Sequence, residues 1–174
     1  MMPDRSDRPE PAASAQHPTA ADPIGGGWPD LSGRLSGDGH VLPIRVYFED
    51  TDFSGIVYHA SYIRWCERGR SDYLRLLGVH HDQLIAGRGG VSEPAAFVVR
   101  RLEIDYLKPA RIDEVLEIRT RPGHITAATL NLLQSVWRGE TPLFRAQVMV
   151  VLVATSGRVL RVPAGLRGRL GMPP

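Results

Sequence analysis

Residues 46–78, VYFEDTDFSGIVYHASYIRWCERGRSDYLRLLG, constrain the fold most, because they carry the one long helical pattern in the chain. From about His59 onward, Tyr62, Cys66, Gly69, Tyr73 and Leu76 recur on one stripe, widened by Ile63, Leu74 and Leu77. Arg64, Arg68, Asp72 and Arg75 face outward, and Gly78 supplies a stop, so the helix runs about five turns. Ahead of it, Tyr47 and Phe48 favour a pleated backbone and predict a strand starting at Val46. Glu49, Asp50 and Asp52 then crowd three carboxylates into four residues, which suits a turn better than a helix interior. Phe53, Ser54 and Gly55 extend that turn as a loop, with Gly55 free to take a positive φ.

Downstream the period changes from 3.6 to 2. Residues 97–107 alternate, with Leu102, Ile104 and Tyr106 on one face and Arg101, Glu103 and Asp105 on the other. Residues 115–121, 127–138 and 143–154 predict three more strands, the last apolar on both faces. A short helical turn is expected at 80–86 and another within the basic tail 158–171. Short connections make the strands antiparallel neighbours. One helix covers a five-stranded sheet only if the sheet curls around it. The expected architecture is therefore α+β, a five-stranded antiparallel sheet wrapped round one central helix. Sheet edge or face left uncovered calls for a second copy, as a homodimer or homotetramer.

Composition narrows the class. With 174 residues, 43% hydrophobic and 23% charged, the chain has room for one domain with a real core. Residues 1–38 are rich in Pro, Ala, Gly, Ser and Asp and are expected to form a disordered leader, with Trp28 and Leu31 as its large apolar residues and the domain at 39–174. The single Cys66 excludes an internal disulfide and fits a reducing compartment. No apolar run reaches the roughly 20 residues of a membrane span, and the first residues lack the apolar core of a secretory signal, so a cytoplasmic protein is expected. Residues 1–40 carry a net charge of −3 and residues 41–174 of +5, too small and scattered an excess to argue for nucleic acid.

Three segments together are similar to a known family: Val46-Tyr47-Phe48-Glu49-Asp50-Thr51-Asp52, Gly55-Ile56-Val57-Tyr58-His59-Ala60-Ser61-Tyr62 and Glu67-Arg68-Gly69-Arg70. They resemble the hotdog-fold acyl-CoA thioesterases, and specifically the Tol-Pal-associated (YbgC-type) branch of the 4-hydroxybenzoyl-CoA thioesterase family. The likeness continues through Ala96–Arg100, Asp105–Arg111 and Val148–Val153 and covers about residues 42 to 166. It implies a thioester hydrolase acting on short-to-medium-chain or aromatic acyl-CoA, or on acyl carrier protein thioesters, with no cofactor and no metal. A non-hydrolytic acyl-binding or scaffold protein of an envelope or lipid complex is the alternative on the same fold.

The candidate residues follow. Asp52 by itself reads equally as a turn cap; the resemblance makes it the catalytic carboxylate, as base or nucleophile. His59, seven residues on, reads as a helix-entry residue or, by the resemblance, as a catalytic partner that orients water or bonds the carboxylate. Glu49 and Asp50 are expected to be solvated or paired with arginine, their charge raising the pKa of Asp52. Backbone amides around Tyr58 to Ala60 are candidate donors to an oxyanion. Tyr58, Tyr62 and Gly55 are the expected substrate-binding residues. Glu67 reads as a surface partner of Arg70, Cys66 as core, and Gly69 as a close helix-to-sheet approach. His80, His81 and His124 show no metal-ligand spacing.

Overall fold

The computed structural model describes residues 33–37 and 39–170. Among these residues seven strands occur in one sheet: β1 (Arg34–Ser36), β2 (Gly39–Arg45), β3 (Ala95–Tyr106), β4 (Val115–Ile125), β5 (Thr129–Arg138), β6 (Thr141–Ala154) and β7 (Val159–Leu160). The helices are α1 (His59–Leu76), α2 (His81–Ile85) and α3 (Ala164–Arg169), with a 3₁₀ turn at Phe48–Asp50. All strand pairs are antiparallel, in the order β1-β2-β4-β5-β6-β3, with β7 beside the end of β6.

The central helix is where the apolar stripe puts it. Tyr62, Trp65, Cys66, Gly69, Tyr73 and Leu74 are buried against Leu42, Leu116, Ile118, Leu130, Leu132 and Phe144 of the sheet. At Gly69 an added Cβ would lie 3.0 Å from Ile118 Cγ2 and 3.3 Å from Thr120 Oγ1. The helix therefore approaches β4 closely enough that a side chain here would push Ile118 and Thr120 aside, a reason for glycine to stand mid-helix despite a propensity cost of about 1 kcal/mol. Gly78 ends the helix at φ +73°.

Three expectations need correction. Val46 starts no strand: β2 ends at Arg45, and Phe48–Asp50 turns. The Asp50 carboxylate accepts the Tyr47 amide at 3.0 Å, and this local bond outweighs the β-propensity of Tyr47 and Phe48. Phe48 is left 81% exposed. Second, β4 continues past Arg121 to Ile125, crossing Pro122-Gly123 through a register shift opposite β5. Third, β1 and β7 add two short strands to the five expected, and β1 falls upstream of the expected domain start at 39. Residues 1–32, with Trp28 and Leu31, lie outside the described residues.

Among the described residues no helix is long and apolar enough to cross a membrane.

Candidate active site

Asp52 occupies a loop whose two ends are tied together. Thr51 and Val57 form an antiparallel bridge, and the Asp52 amide donates to the Ile56 carbonyl at 2.9 Å. Within the loop the Gly55 amide donates to the Asp52 carbonyl at 3.0 Å, at a φ of +72° that glycine adopts without strain. The loop is fastened to the rest of the fold by the Val57 amide, which donates to Ala110 O at 2.9 Å, and by a bridge from Ile56 to Arg111.

The Asp52 carboxylate is exposed. Its Oδ1 accepts the Ser54 hydroxyl at 2.5 Å and the Ser54 amide at 2.8 Å. Those two bonds, the hydroxyl first, hold its pKa below the usual aspartate value. The expected upward push from Glu49 and Asp50 is not what governs it. The local hydrogen bonds favour the ionised form, and Asp50 is turned to other partners. A weaker bond from the Ile56 backbone to the carboxylate acts in the same direction.

Asp50 is 5% exposed rather than solvated. Its carboxylate accepts the Tyr47 amide and lies 3.5 Å from the Arg64 guanidinium. Its carbonyl accepts the Tyr58 amide at 2.8 Å and the Ser61 hydroxyl at 3.1 Å. The Ser61 amide donates to Tyr58 O at 2.9 Å. Of the amides expected to be free, Tyr58 is thus committed, while those of His59 and Ala60 at the start of α1 remain without a partner among the described residues. These two donors sit at the positive end of an 18-residue helix.

His59 is exposed beside them. Its ring lies 4.3 Å from that of Tyr58 and edge-on to Tyr106 at 6.5 Å, and its carbonyl accepts the Tyr106 hydroxyl at 3.0 Å. No hydrogen bond joins His59 to Asp52 among the described residues. The loop brings both to one end of α1 without pairing them.

The two tyrosines separate. Tyr58, 49% exposed, presents a ring to any bound molecule. Tyr62, 3% exposed, is core: it packs on Trp65, Tyr106 and Phe144, and its hydroxyl accepts the Ala110 amide at 2.9 Å. It supports the site from behind instead of lining it. Burial pushes its phenol up.

Glu67 pairs with Arg70 as its i, i+3 spacing suggests. Arg70 is nonetheless buried, and its guanidinium also donates to Gln134 Oε1 at 2.7 Å. Gln134 in turn donates to Cys66 O at 2.9 Å and Thr120 Oγ1 at 3.0 Å, so the buried charge is fully engaged. The Cys66 thiol is pushed up to about 12 by burial and is inert core. Among the described residues no three His, Cys, Asp or Glu side chains gather to hold a metal ion.

Ser54, Ser61 and Tyr106 are residues of the site that sequence reasoning missed. Ser54 was readable, since a serine two residues after an aspartate is an Asx-turn partner. Tyr106 meets His59 across 47 positions and leaves no local trace.

Comparison with known proteins bears on the family and the fold. The family profile described as Thioesterase superfamily matches residues 54–144. The acyl-CoA thioester hydrolase YbgC of Escherichia coli O157:H7 is 41% identical over 112 residues, 64% of this chain and 79% of that protein. A probable thioesterase from Bartonella henselae is 41% identical with a TM-score of 0.67, over 72% of this chain and 99% of that one. The structure of a 4-hydroxybenzoyl-CoA thioesterase variant complexed with 4-hydroxybenzoyl-CoA shares the fold at 22% identity and a TM-score of 0.68, over 77% and 99% of the two chains.

Proposed function

The chain belongs to the thioesterase superfamily, and from that premise we propose that it hydrolyses acyl-CoA thioesters at Asp52. The observation that carries the proposal is the placement of an exposed, ionised carboxylate and two unpaired helix-start amides on one short loop-helix unit. The amides of His59 and Ala60 receive the carbonyl oxygen, stabilising the negative charge it gains. The carboxylate of Asp52 either takes a proton from a water that attacks the carbonyl carbon, or attacks that carbon itself, in which case water hydrolyses the resulting mixed anhydride after the thiolate has left. The C–S bond then breaks, and the thiolate leaves and is protonated. His59 orients the water or supplies that proton. The exposed rings of Tyr58 and Tyr106 favour a short or aromatic acyl group over a long chain.

A panel of short, medium and aromatic acyl-CoAs, read by thiol release, tests this, with acyl carrier protein thioesters as a parallel arm. No thiol release from any of them would overturn it. The resemblance to the Tol-Pal-associated branch extends the proposal to a cytoplasmic role beside that envelope system.

The lowered pKa of Asp52 has a pH consequence. The ionised form is the active one, so kcat/KM is expected to fall only as pH drops through a value below the usual aspartate pKa of about 3.9. A depressed folded-state pKa also means that Asp52 stabilises the fold above its unfolded pKa and loses that contribution on acidification through the folded value. Ser54→Ala removes the first of the two bonds and should move the acid limb upward. An unmoved limb would show that another group titrates.

The second-copy expectation has a physical basis too. Among the described residues strand β3 pairs only with β6, and Val98, Val99 and Tyr106 along it are exposed. We propose a homodimer through this edge. Light scattering should return at least twice the chain mass; a stable, active monomer at micromolar concentration would rule it out.

A further inference from the structure

We infer that Ser61, with Asp50 and Arg64, is a positioning unit that sets the Asp52 carboxylate against the α1 amides. The inference rests on the thioesterase reading and deepens it. Ser61 is fully buried at the third position of α1, and its hydroxyl is used in both directions. It donates to the Asp50 carbonyl at 3.1 Å and accepts the Arg64 guanidinium at 3.0 Å. Arg64 also lies 3.5 Å from Asp50 Oδ1, which closes the three residues into a ring. Bonds chained in this way polarise one another and hold a tighter geometry than each would alone.

The ring controls both halves of the site. The carbonyl that receives the Ser61 hydroxyl also receives the Tyr58 amide, at 2.8 Å. One oxygen therefore fixes where the loop departs, two residues before Asp52, and where the helix begins, one residue before His59. By engaging Tyr58, it also determines that the free donors are His59 and Ala60. Asp50 O is the common origin from which carboxylate and oxyanion donors are both measured.

None of these three side chains is needed to touch substrate. Their loss should act by changing where the Asp52 carboxylate stands relative to the α1 amides, an effect that needs the carboxylate charge to be felt. Ser61→Ala in the full chain should lower kcat by ~10- to 100-fold with KM little changed, the range in which small misplacements of a catalytic group fall. The decisive measurement is the double variant Ser61→Ala/Asp52→Asn. If Ser61 works by placing the carboxylate, adding Ser61→Ala to Asp52→Asn costs no more than about twofold, because there is no longer a charge to misplace. Arg64→Ala, at an exposed position, should give the same non-additive pattern, with its melting temperature measured alongside to show that it is folded.

Full kcat in Ser61→Ala, or a loss that multiplies undiminished onto that of Asp52→Asn, overturns the positioning role while leaving Asp52 as the catalytic group. Wild-type protein without thioester cleavage overturns both readings together.

Discussion

Replacing Asp52 by Asn is expected to cut kcat by at least ~100-fold with KM little changed, the low end of what a positioned base supplies. Asn keeps the shape of the side chain and can still accept the Ser54 hydroxyl and amide at one oxygen, so the loop should stay folded. What disappears is the negative charge and the basic lone pair at Oδ2. A loss confined to kcat locates the effect in the transition state rather than in substrate binding. His59→Ala should lose less if the imidazole only orients water. Glu67→Gln is the internal control, because Glu67 is exposed and engaged with Arg70 and Ser71 on the helix surface. If Asp52→Asn retains most of its turnover while Glu67→Gln does not, the catalytic carboxylate lies on the helix instead of the loop.

The second large effect concerns stability. Trp65→Ala should destabilise the fold by about 3–5 kcal/mol, the usual range for deleting a buried aromatic. Trp65 is 1% exposed and among the largest fully buried side chains of the core. It packs edge-on to Tyr62 at 5.3 Å. Tyr62 in turn holds the Ala110 amide, and the Ala110 carbonyl holds Val57. The cavity therefore opens behind the residues that fasten the Asp52 loop. A melting temperature lowered by roughly 10 °C or more is expected. A shift of a degree or two would mean that neighbouring side chains collapse into the space, leaving no cavity.

The parts of the fold written in local pattern were legible. Helix α1 follows from an apolar stripe and a terminal glycine, and β3 and β6 from alternation and from an apolar run. The candidate site was legible as far as its placement is local: Asp52, His59 and Gly55 lie within one loop and helix start. What escaped reading depends on partners distant in sequence or on geometry that propensity does not carry. Asp72 has the spacing of an outward helix residue, yet its carboxylate bonds the buried His40 ring at 2.8 Å and the Gly33 amide at 2.7 Å. Burial lowers the pKa of His40, which favours the neutral ring in that pair. Arg70 likewise reads as a surface residue and is buried because Gln134, 64 positions later, supplies its acceptor. Tyr47 and Phe48 misled in the other direction. Their β-propensity was real, but three residues on, a carboxylate caught the backbone and turned it.

The sheet order also has a temporal meaning. The loop carrying Asp52 is pinned by Ala110 and Arg111, β2 waits for β4, and β3 finds its neighbour only in β6. Such distant pairings close slowly and after local helices have formed. A chain emerging from the ribosome with α1 complete would hold Asp52, His59 and Ser61 but neither Tyr106 nor the anchors Ala110 and Arg111. The candidate centre is therefore held in place by residues that follow the helix, and its final geometry arrives late in synthesis, when β6 closes the sheet.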